Sequence, residues 1–284
     1  MAVFLINDKQ VHSYEQLLAE INGSQSYYPL YKQPDLFLYF SNLIKALSSN
    51  VPLILLDADL NANEIGGVDE SRMNVAETLP VKGEITIEEV IAAVQNSSSQ
   101  ITIFTSGTTG QPKKVVHNVQ NLTRSVRQGE KYNGQIWAYA YNPTHMAGLQ
   151  VFFQTFMNQN TLVNVFNKSR SEVYELIECQ KVTHISATPT FYRLLLPFEK
   201  EYPLVQRVTL GGEKSDSKLY DNITKIFPSA KINNVYASTE AGSLFAAKGD
   251  AFQLPEKLRN KFKIVDDELL IHRSLLGQSD NFRF

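Results

Sequence analysis

Ile101-Thr102-Ile103-Phe104-Thr105-Ser106-Gly107-Thr108-Thr109-Gly110-Gln111-Pro112-Lys113 is the stretch from which the fold reading starts. Four β-favouring residues, 101–104, run into a loop with two glycines, four hydroxyls and a terminal lysine. Gly107 and Gly110 can adopt positive φ and bring backbone N–H groups up to an anion. Ser106, Thr108 and Thr109 add donors, while Thr105 belongs either to the strand end or to the loop. Lys113 supplies a point charge suited to phosphate, with a solvent-exposed loop lysine as the plainer alternative. A Walker A loop is excluded, because it needs Gly-x-x-x-x-Gly-Lys followed by Ser or Thr, and here Pro112 precedes the lysine. On composition the segment is either an anion site or a solvated Ser/Thr/Gly turn.

Working outward, residues 3–6 read as an edge strand, and Ser13 with Gln16 forms a capping box for a short helix. Apolar positions 36, 37, 40, 43, 44 and 47 predict a broadly buried helix face. Val51–Leu56 reads as a strand, and 60–80 as loop. Thr86 and Glu89 make a second capping box, with Ile85 and Val90 placed as a hydrophobic staple. Beyond the 101–113 stretch, strands are expected at 136–141, 162–166, 182–186, 206–210 and 231–236. Helices are expected at 119–128, 147–157, 170–180, 190–196 and 216–226. This alternation predicts an α/β fold of layered, largely parallel sheets with flanking helices. Phe262–Val265 and Glu268–Ile271 flank Asp266-Asp267, a two-residue hairpin signal.

At 284 residues and 43% apolar the chain can bury a large core without staples. Its 27 Lys plus Arg against 29 Asp plus Glu give a net charge of −2, so there is no broad cationic footprint for nucleic acid. The single Cys179 rules out an internal disulfide framework and reads as a partly buried thiol. Met1–Ile6 lacks the basic and long apolar regions of a secretory signal, and no apolar run reaches membrane-helix length. A cytoplasmic protein, monomeric or homodimeric, without membrane insertion is expected. The histidines show no zinc-ligand spacing.

Two further segments carry chemistry. Tyr236-Ala237-Ser238-Thr239-Glu240-Ala241-Gly242 follows a strand, and Gly211-Gly212-Glu213 lies between it and the first loop. In this order and spacing, Thr105–Lys113 resembles the phosphate loop of the adenylate-forming superfamily of acyl-CoA synthetases, aryl-CoA ligases, luciferases and peptide-synthetase adenylation domains. Tyr236–Gly242 resembles that family's Tyr-Gly-x-Thr-Glu motif, with Ala237 in place of the usual glycine. The resemblance covers about residues 90–284. It implies the N-terminal core of such an enzyme, divided into a reduced α/β subdomain (1–95), a nucleotide-binding α/β subdomain (96–250) and a partial C-terminal β lobe (251–284). Asp267–Ile271 resembles the family's Gly-Glu-Leu segment. The family's Thr-Gly-Asp motif, hinge and mobile domain with a catalytic lysine would follow, but the chain stops at Phe284 before them. An incomplete catalytic unit is therefore expected.

The implied activity is ATP-dependent activation of a small aryl or acyl carboxylic acid to an acyl-adenylate, followed by thioester formation with CoA. The alternatives are a non-catalytic ATP- or acyl-adenylate-binding protein and a structural protein with the inherited fold. The resemblance assigns the β- and γ-phosphates to Thr105, Ser106, Gly107, Thr108, Thr109, Gly110 and Lys113. It assigns the α-phosphate to Thr239 and Mg²⁺ to Glu240, an oxygen ligand of the kind that ion takes beside substrate phosphates. Adenine contacts fall on Gly212, Glu213 and Tyr236, the last being alternatively a core aromatic. His145 resembles the residue that gates the acid's carboxylate; a helix cap is the other reading. His117 reads as structural. The acid is expected near Met146, Gly148, Leu149 and Thr188, with small Gly148 leaving room for a bulky substrate.

Overall fold

Capping side chains and apolar runs set the element boundaries from the first residues onward. The computed structural model describes residues 2–58, 65, 68–80, 83–105, 112–248 and 251–279. Strands β1 (Val3–Asn7) and β2 (Gln10–Ser13) reverse through Asp8, at φ 54°. Ser13 then caps α1 (Tyr14–Gly23) in the reciprocal capping box with Gln16. After β3 (Ser26–Tyr27) and β4 (Leu30–Lys32), Asp35 caps α2 (Leu36–Ser48) through the Leu38 N–H. β5 (Leu53–Leu56) and β6 (Glu77–Thr78) precede α3 (Ile87–Gln95), whose Thr86–Glu89 capping box is present. β7 (Gln100–Thr105) and β8 (Lys113–Asn118) close this half.

The second half alternates strand and helix. α4 (Val119–Thr123), β9 (Ile136–Tyr139), α5 (Met146–Phe156) and β10 (Thr161–Asn164) come first. α6 (Arg170–Cys179), β11 (His184–Ala187), α7 (Pro189–Leu194), β12 (Arg207–Gly211), α8 (Ser217–Ile226) and β13 (Lys231–Ser238) follow. The antiparallel β14 (Gly242–Lys248) and β15 (Ala251–Phe252) flank that edge, and β16 (Phe262–Val265) pairs with β17 (Glu268–Ile271). The last pair turns at Asp266 and Asp267, at φ 50° and 63°, the doubly positive geometry of a tight hairpin.

Among the described residues the larger sheet has nine strands in the order β15-β14-β13-β12-β11-β9-β10-β1-β2. Its middle is parallel from β1 to β13, with antiparallel strands at both edges. A second sheet, β4-β5-β7-β8, is parallel except for β8. The fold is thus a layered α/β fold with mixed sheets and flanking helices. Strand pairing crosses the boundary anticipated at residue 95: β1 and β2 join the later strands, whereas β7 and β8 join β4 and β5.

α2 is buried around most of its circumference, as expected of a helix enclosed on several sides. Its Phe40 stacks on Phe152 of α5 at 4.4 Å, and both belong to one core that includes residues of both sheets. A second core fills the opposite face of the larger sheet beneath α6, α7 and α8. Residues 242–248, for which no element was expected, form a strand that pairs back on β13. Two expectations are corrected. Lys113 begins a strand, because 113–118 alternates and buries Val115 and His117 against β7. Cys179 is exposed, because it falls at the solvent side of α6, whose Val173 and Ile177 face the core.

Candidate active site

Where α5 ceases to cover the larger sheet, a cleft of about 940 Å³ opens over β11, β12 and β13. Met146, Gln150 and Gln154 of α5 form one wall. The floor is the face on which Ser186, Thr209 and Asn233 lie side by side in register. At the carboxyl ends of these strands stand Gly211, Gly212, Ser238 and Thr239. A crevice at that end of a parallel sheet is the expected ligand position for an open α/β fold.

His145 occupies the N-cap position of α5, and its side chain makes no capping bond. The preceding turn is fixed by Asn142, whose Oδ1 accepts from the Thr144 N–H at 2.9 Å and hydroxyl at 2.8 Å. Asn142 Nδ2 donates to Asp57, and the Tyr39 hydroxyl donates to the Pro143 carbonyl at 3.0 Å. His145 therefore lines the cleft on a rigid support. Desolvation lowers its pKa, against the opposing charge of Asp57, so the imidazole is neutral near pH 7 and has one N–H to donate.

The turn at 239–241 is held through three successive carbonyls. His117 Nε2 lies 3.0 Å from the Thr239 oxygen, the Gly277 N–H donates to Glu240 O at 2.7 Å, and Arg124 donates to Ala241 O. Because a carbonyl only accepts, His117 carries its proton on Nε2. Burial pushes its pKa down to about 4, although the Thr239 bond and the Glu240 charge act the other way and Arg124 acts with burial. This leaves the half-buried Glu240 carboxylate with no hydrogen-bond partner among the described residues. Such an oxygen pair is free to take a hard cation. Among the described residues no cluster of three or more His, Cys, Asp or Glu offers a self-contained metal cage.

The remaining expected residues are spread around this frame. Ser106, Gly107, Thr108, Thr109 and Gly110 lie outside the described residues. Thr105 ends β7 and pairs with Lys113, half-buried at the start of β8, so the strands frame both ends of that loop. Gly212 has φ +84° and open space around it, leaving its backbone free to approach a flat ligand. Glu213 Oε2 accepts from Thr190 N–H at 3.0 Å and its hydroxyl at 2.6 Å, tying the Gly-Gly turn to α7. Tyr236 is 37% exposed and stacks on Phe245 at 4.9 Å, while its neighbours Val235 and Ala237 line the cleft.

For the acid, Met146 and Thr188 line the cleft. Leu149 is fully buried instead. Gly148 is small for another reason: a Cβ there would lie 2.2 Å from Asn142 O and 2.8 Å from the Tyr139 hydroxyl oxygen. Sequence reasoning missed Gln150, whose Oε1 accepts from Ser243 N–H at 3.2 Å and its hydroxyl at 2.9 Å, joining α5 to β14. A glutamine within the apolar run 146–156 was the available signal. It also missed Asp57 and Arg124, which no local motif marks.

The family model described as AMP-binding enzyme matches residues 43–269. The D-alanine–D-alanyl carrier protein ligase of Lactococcus lactis subsp. lactis is 29% identical over 203 residues, covering 63% of this chain and 40% of that ligase. The o-succinylbenzoate CoA synthetase of Bacillus subtilis, in complex with its acyl-adenylate intermediate, superposes with TM-score 0.67 at 18% identity, over 99% of this chain and 69% of that one. The same synthetase in complex with ATP and magnesium ion gives TM-score 0.61 at 18% identity, over 87% and 59%. The chain thus spans well under half of the carrier protein ligase it matches. Among the described residues no helix is long and apolar enough to cross a membrane.

Proposed function

The chain belongs to the AMP-binding enzyme family, and on that premise we propose that it activates a small carboxylic acid with ATP to give an acyl-adenylate. One observation carries the reading: His145 and Thr239 meet the Gly211–Gly212 turn in a single cleft at the carboxyl end of the parallel strands. Activation joins an acid oxygen to the α-phosphorus and breaks the bond to pyrophosphate, so negative charge must be steadied at two places.

In this reading the Thr239 hydroxyl donates to the α-phosphate, and the neutral His145 N–H donates where the carboxylate meets it. Neutrality matters because an imidazolium would pair with the ground-state carboxylate and hold it back from attack. The 105–110 loop and Lys113 receive the β- and γ-phosphates, at the base that β7 and β8 form. The Gly212 backbone approaches adenine, with Glu213 bracing the turn and Tyr236 at its outer edge. Glu240 would hold Mg²⁺, which supplies charge neutralisation on the phosphates. CoA is the proposed acceptor of the acyl group, supported by the fold shared with a CoA synthetase; the carrier protein ligase relative makes a carrier thiol the competing acceptor.

The test is magnesium-dependent ATP–pyrophosphate exchange on the full-length gene product across aryl and acyl acids. Exchange that requires an acid supports the reading. ATP binding without exchange for any acid would leave a binding protein, and absence of both would leave only an inherited fold. Thiol-dependent consumption of the adenylate with free CoA, rather than with a phosphopantetheinylated carrier, identifies the acceptor.

A further inference from the structure

The cleft does not end at the acid's reacting carboxylate. Its floor is laid out in cross-strand rows. Farthest from Thr239, Trp137, His184, Arg207 and Lys231 are in register across β9, β11, β12 and β13. Ser186, Thr209 and Asn233 form the next row, and Gly211 and Val235 the one after. Lys231 to Val235 is four residues along one strand, about 13 Å. A ligand running down this floor therefore passes from small groups to hydroxyls and an amide, then to two cations in a row with His184 and Trp137.

The far end is cationic in a way that the chain as a whole is not, since the net charge is −2. Arg207 and Lys231 are immediate neighbours on adjacent strands, a like-charge placement that weakens a sheet. Among the described residues, neither has an ion-pair partner and no Asp or Glu lines the cleft. Arg127 and Lys131 line the same cleft. The Arg127 backbone is pinned there: its N–H donates to Gln154 Oε1 at 2.9 Å, and its carbonyl accepts from Gln154 at 3.0 Å and Asn158 at 2.9 Å. Two titratable neighbours register the resulting potential. Desolvation would raise the Tyr132 phenol, but hydrogen bonds and charge from Lys131 and Arg127 outweigh it and lower its pKa. His184 is lowered to about 4 by burial and then by Arg207, so it stays neutral beside the cations.

We propose that this end of the cleft is a subsite for an anionic group, carboxylate or phosphate, at the tail of an elongated polar acid whose other end is activated beside Thr239. The inference rests on the acid-activating reading of the same cleft. It disfavours a plain fatty acid, because an alkyl chain would cover the polar Thr209 and Asn233 side chains without offering them a hydrogen-bond partner.

The probes are α,ω-dicarboxylic acids of graded length, the matching ω-phosphono acids, and the mono-amides of the dicarboxylic acids. In acid-dependent ATP–pyrophosphate exchange, an acid with an anionic tail is expected to exceed its mono-amide in kcat/KM by about 10- to 100-fold, the range for a charge-assisted hydrogen bond. The tail group that gives the larger preference identifies the anion. Arg207→Gln combined with Lys231→Gln should abolish the preference. Lys131→Gln with Lys231→Gln, both at exposed positions, should reduce it without touching the half-buried arginine. Exchange with equal use of both tails, or a preference untouched by the variants, overturns the subsite. If no acid supports exchange, the acid-activating reading fails, and calorimetry of dicarboxylic acid against mono-amide still decides the subsite. Selective binding lost in the variants supports it, and equal or absent binding overturns it.

Discussion

His117 and Thr239, 122 residues apart in sequence, are joined by a 3.0 Å hydrogen bond from the imidazole Nε2–H to the backbone carbonyl. The bond matters because His117 lies on β8, the strand that begins with Lys113. One rigid strand therefore links the exit of the Ser/Thr/Gly loop to the turn carrying Thr239 and Glu240. Only a side chain without bulk at 277 permits it, since a Cβ there would sit 2.5 Å from the ring's Cε1.

His117→Ala should leave the half-buried Thr239 carbonyl without its partner, a loss of about 1–3 kcal/mol at most. His117→Gln keeps an N–H donor and should recover part of it. Urea unfolding of both variants reads the difference. Equal destabilisation would show that ring packing, and not the hydrogen bond, is what the site requires.

Stability should fall as pH drops from about 6.5 towards 4. His117 and His184 are both lowered to about 4 in the folded chain, from an ordinary value of 6.5. Between those values the unfolded chain takes up protons that the folded chain refuses, so acid favours unfolding. The loss is complete below the folded value, and above 6.5 both states are neutral and the term is flat. Each histidine adds a slope of at most about 1.4 kcal/mol per pH unit. Denaturant unfolding at pH 7, 6 and 5 measures it, and His184→Gln should flatten the curve.

Gly148→Ala tests the support beneath His145. The added methyl would meet Asn142 O at 2.2 Å and the Tyr139 hydroxyl oxygen at 2.8 Å, so the turn or the helix must shift. Overpacking of this kind costs about 1–3 kcal/mol. Because Asn142 also bonds Thr144 and Asp57, the shift should reach His145. A fall in unfolding midpoint together with an altered His145 titration by NMR is the expected result, whereas an unchanged midpoint would show that the turn yields freely.

The contrast between these sites shows what the sequence could carry. Capping boxes at Ser13 and Thr86 were legible because both partners lie within one turn of chain. The Asp266-Asp267 hairpin was legible because its strands are immediate neighbours. β8 was hidden: its alternation covers only six residues, and its partner returns across a loop whose composition drew the reading towards phosphate. Gly148 was read as room for substrate because spacing does not reveal which side of a helix faces a turn. The clamp on residues 239–241 draws on His117, Arg124 and Gly277, and no local pattern joins three segments that meet only after both sheets have formed. The basic end of the cleft was invisible for a related reason, since Arg127, Lys131, Arg207 and Lys231 are isolated charges until the strands set their register.

Glu240 and Thr239 should fail in different ways when altered, although they are adjacent. The turn backbone is held by His117, Gly277 and Arg124, so side-chain changes should leave its path intact. If Glu240 holds the metal as proposed, Glu240→Gln keeps the shape and removes one charged oxygen ligand; the magnesium midpoint for ATP–pyrophosphate exchange should then rise, and saturating metal should restore much of the rate. In the proposed role, Thr239→Val would remove a donor to the α-phosphate, a deficit that added magnesium would not repair. Loss of one transition-state donor costs about 2.7–4 kcal/mol, or roughly 100- to 1,000-fold in kcat. Lys113→Ala, on the pyrophosphate side in the proposed reading, should cost less than Thr239→Val, because its compact point charge can be replaced in part by bulk cations. A magnesium titration of all three variants separates the roles. An unchanged midpoint in Glu240→Gln would remove that carboxylate from the metal, and magnesium rescue of Thr239→Val would place Thr239 in metal binding instead.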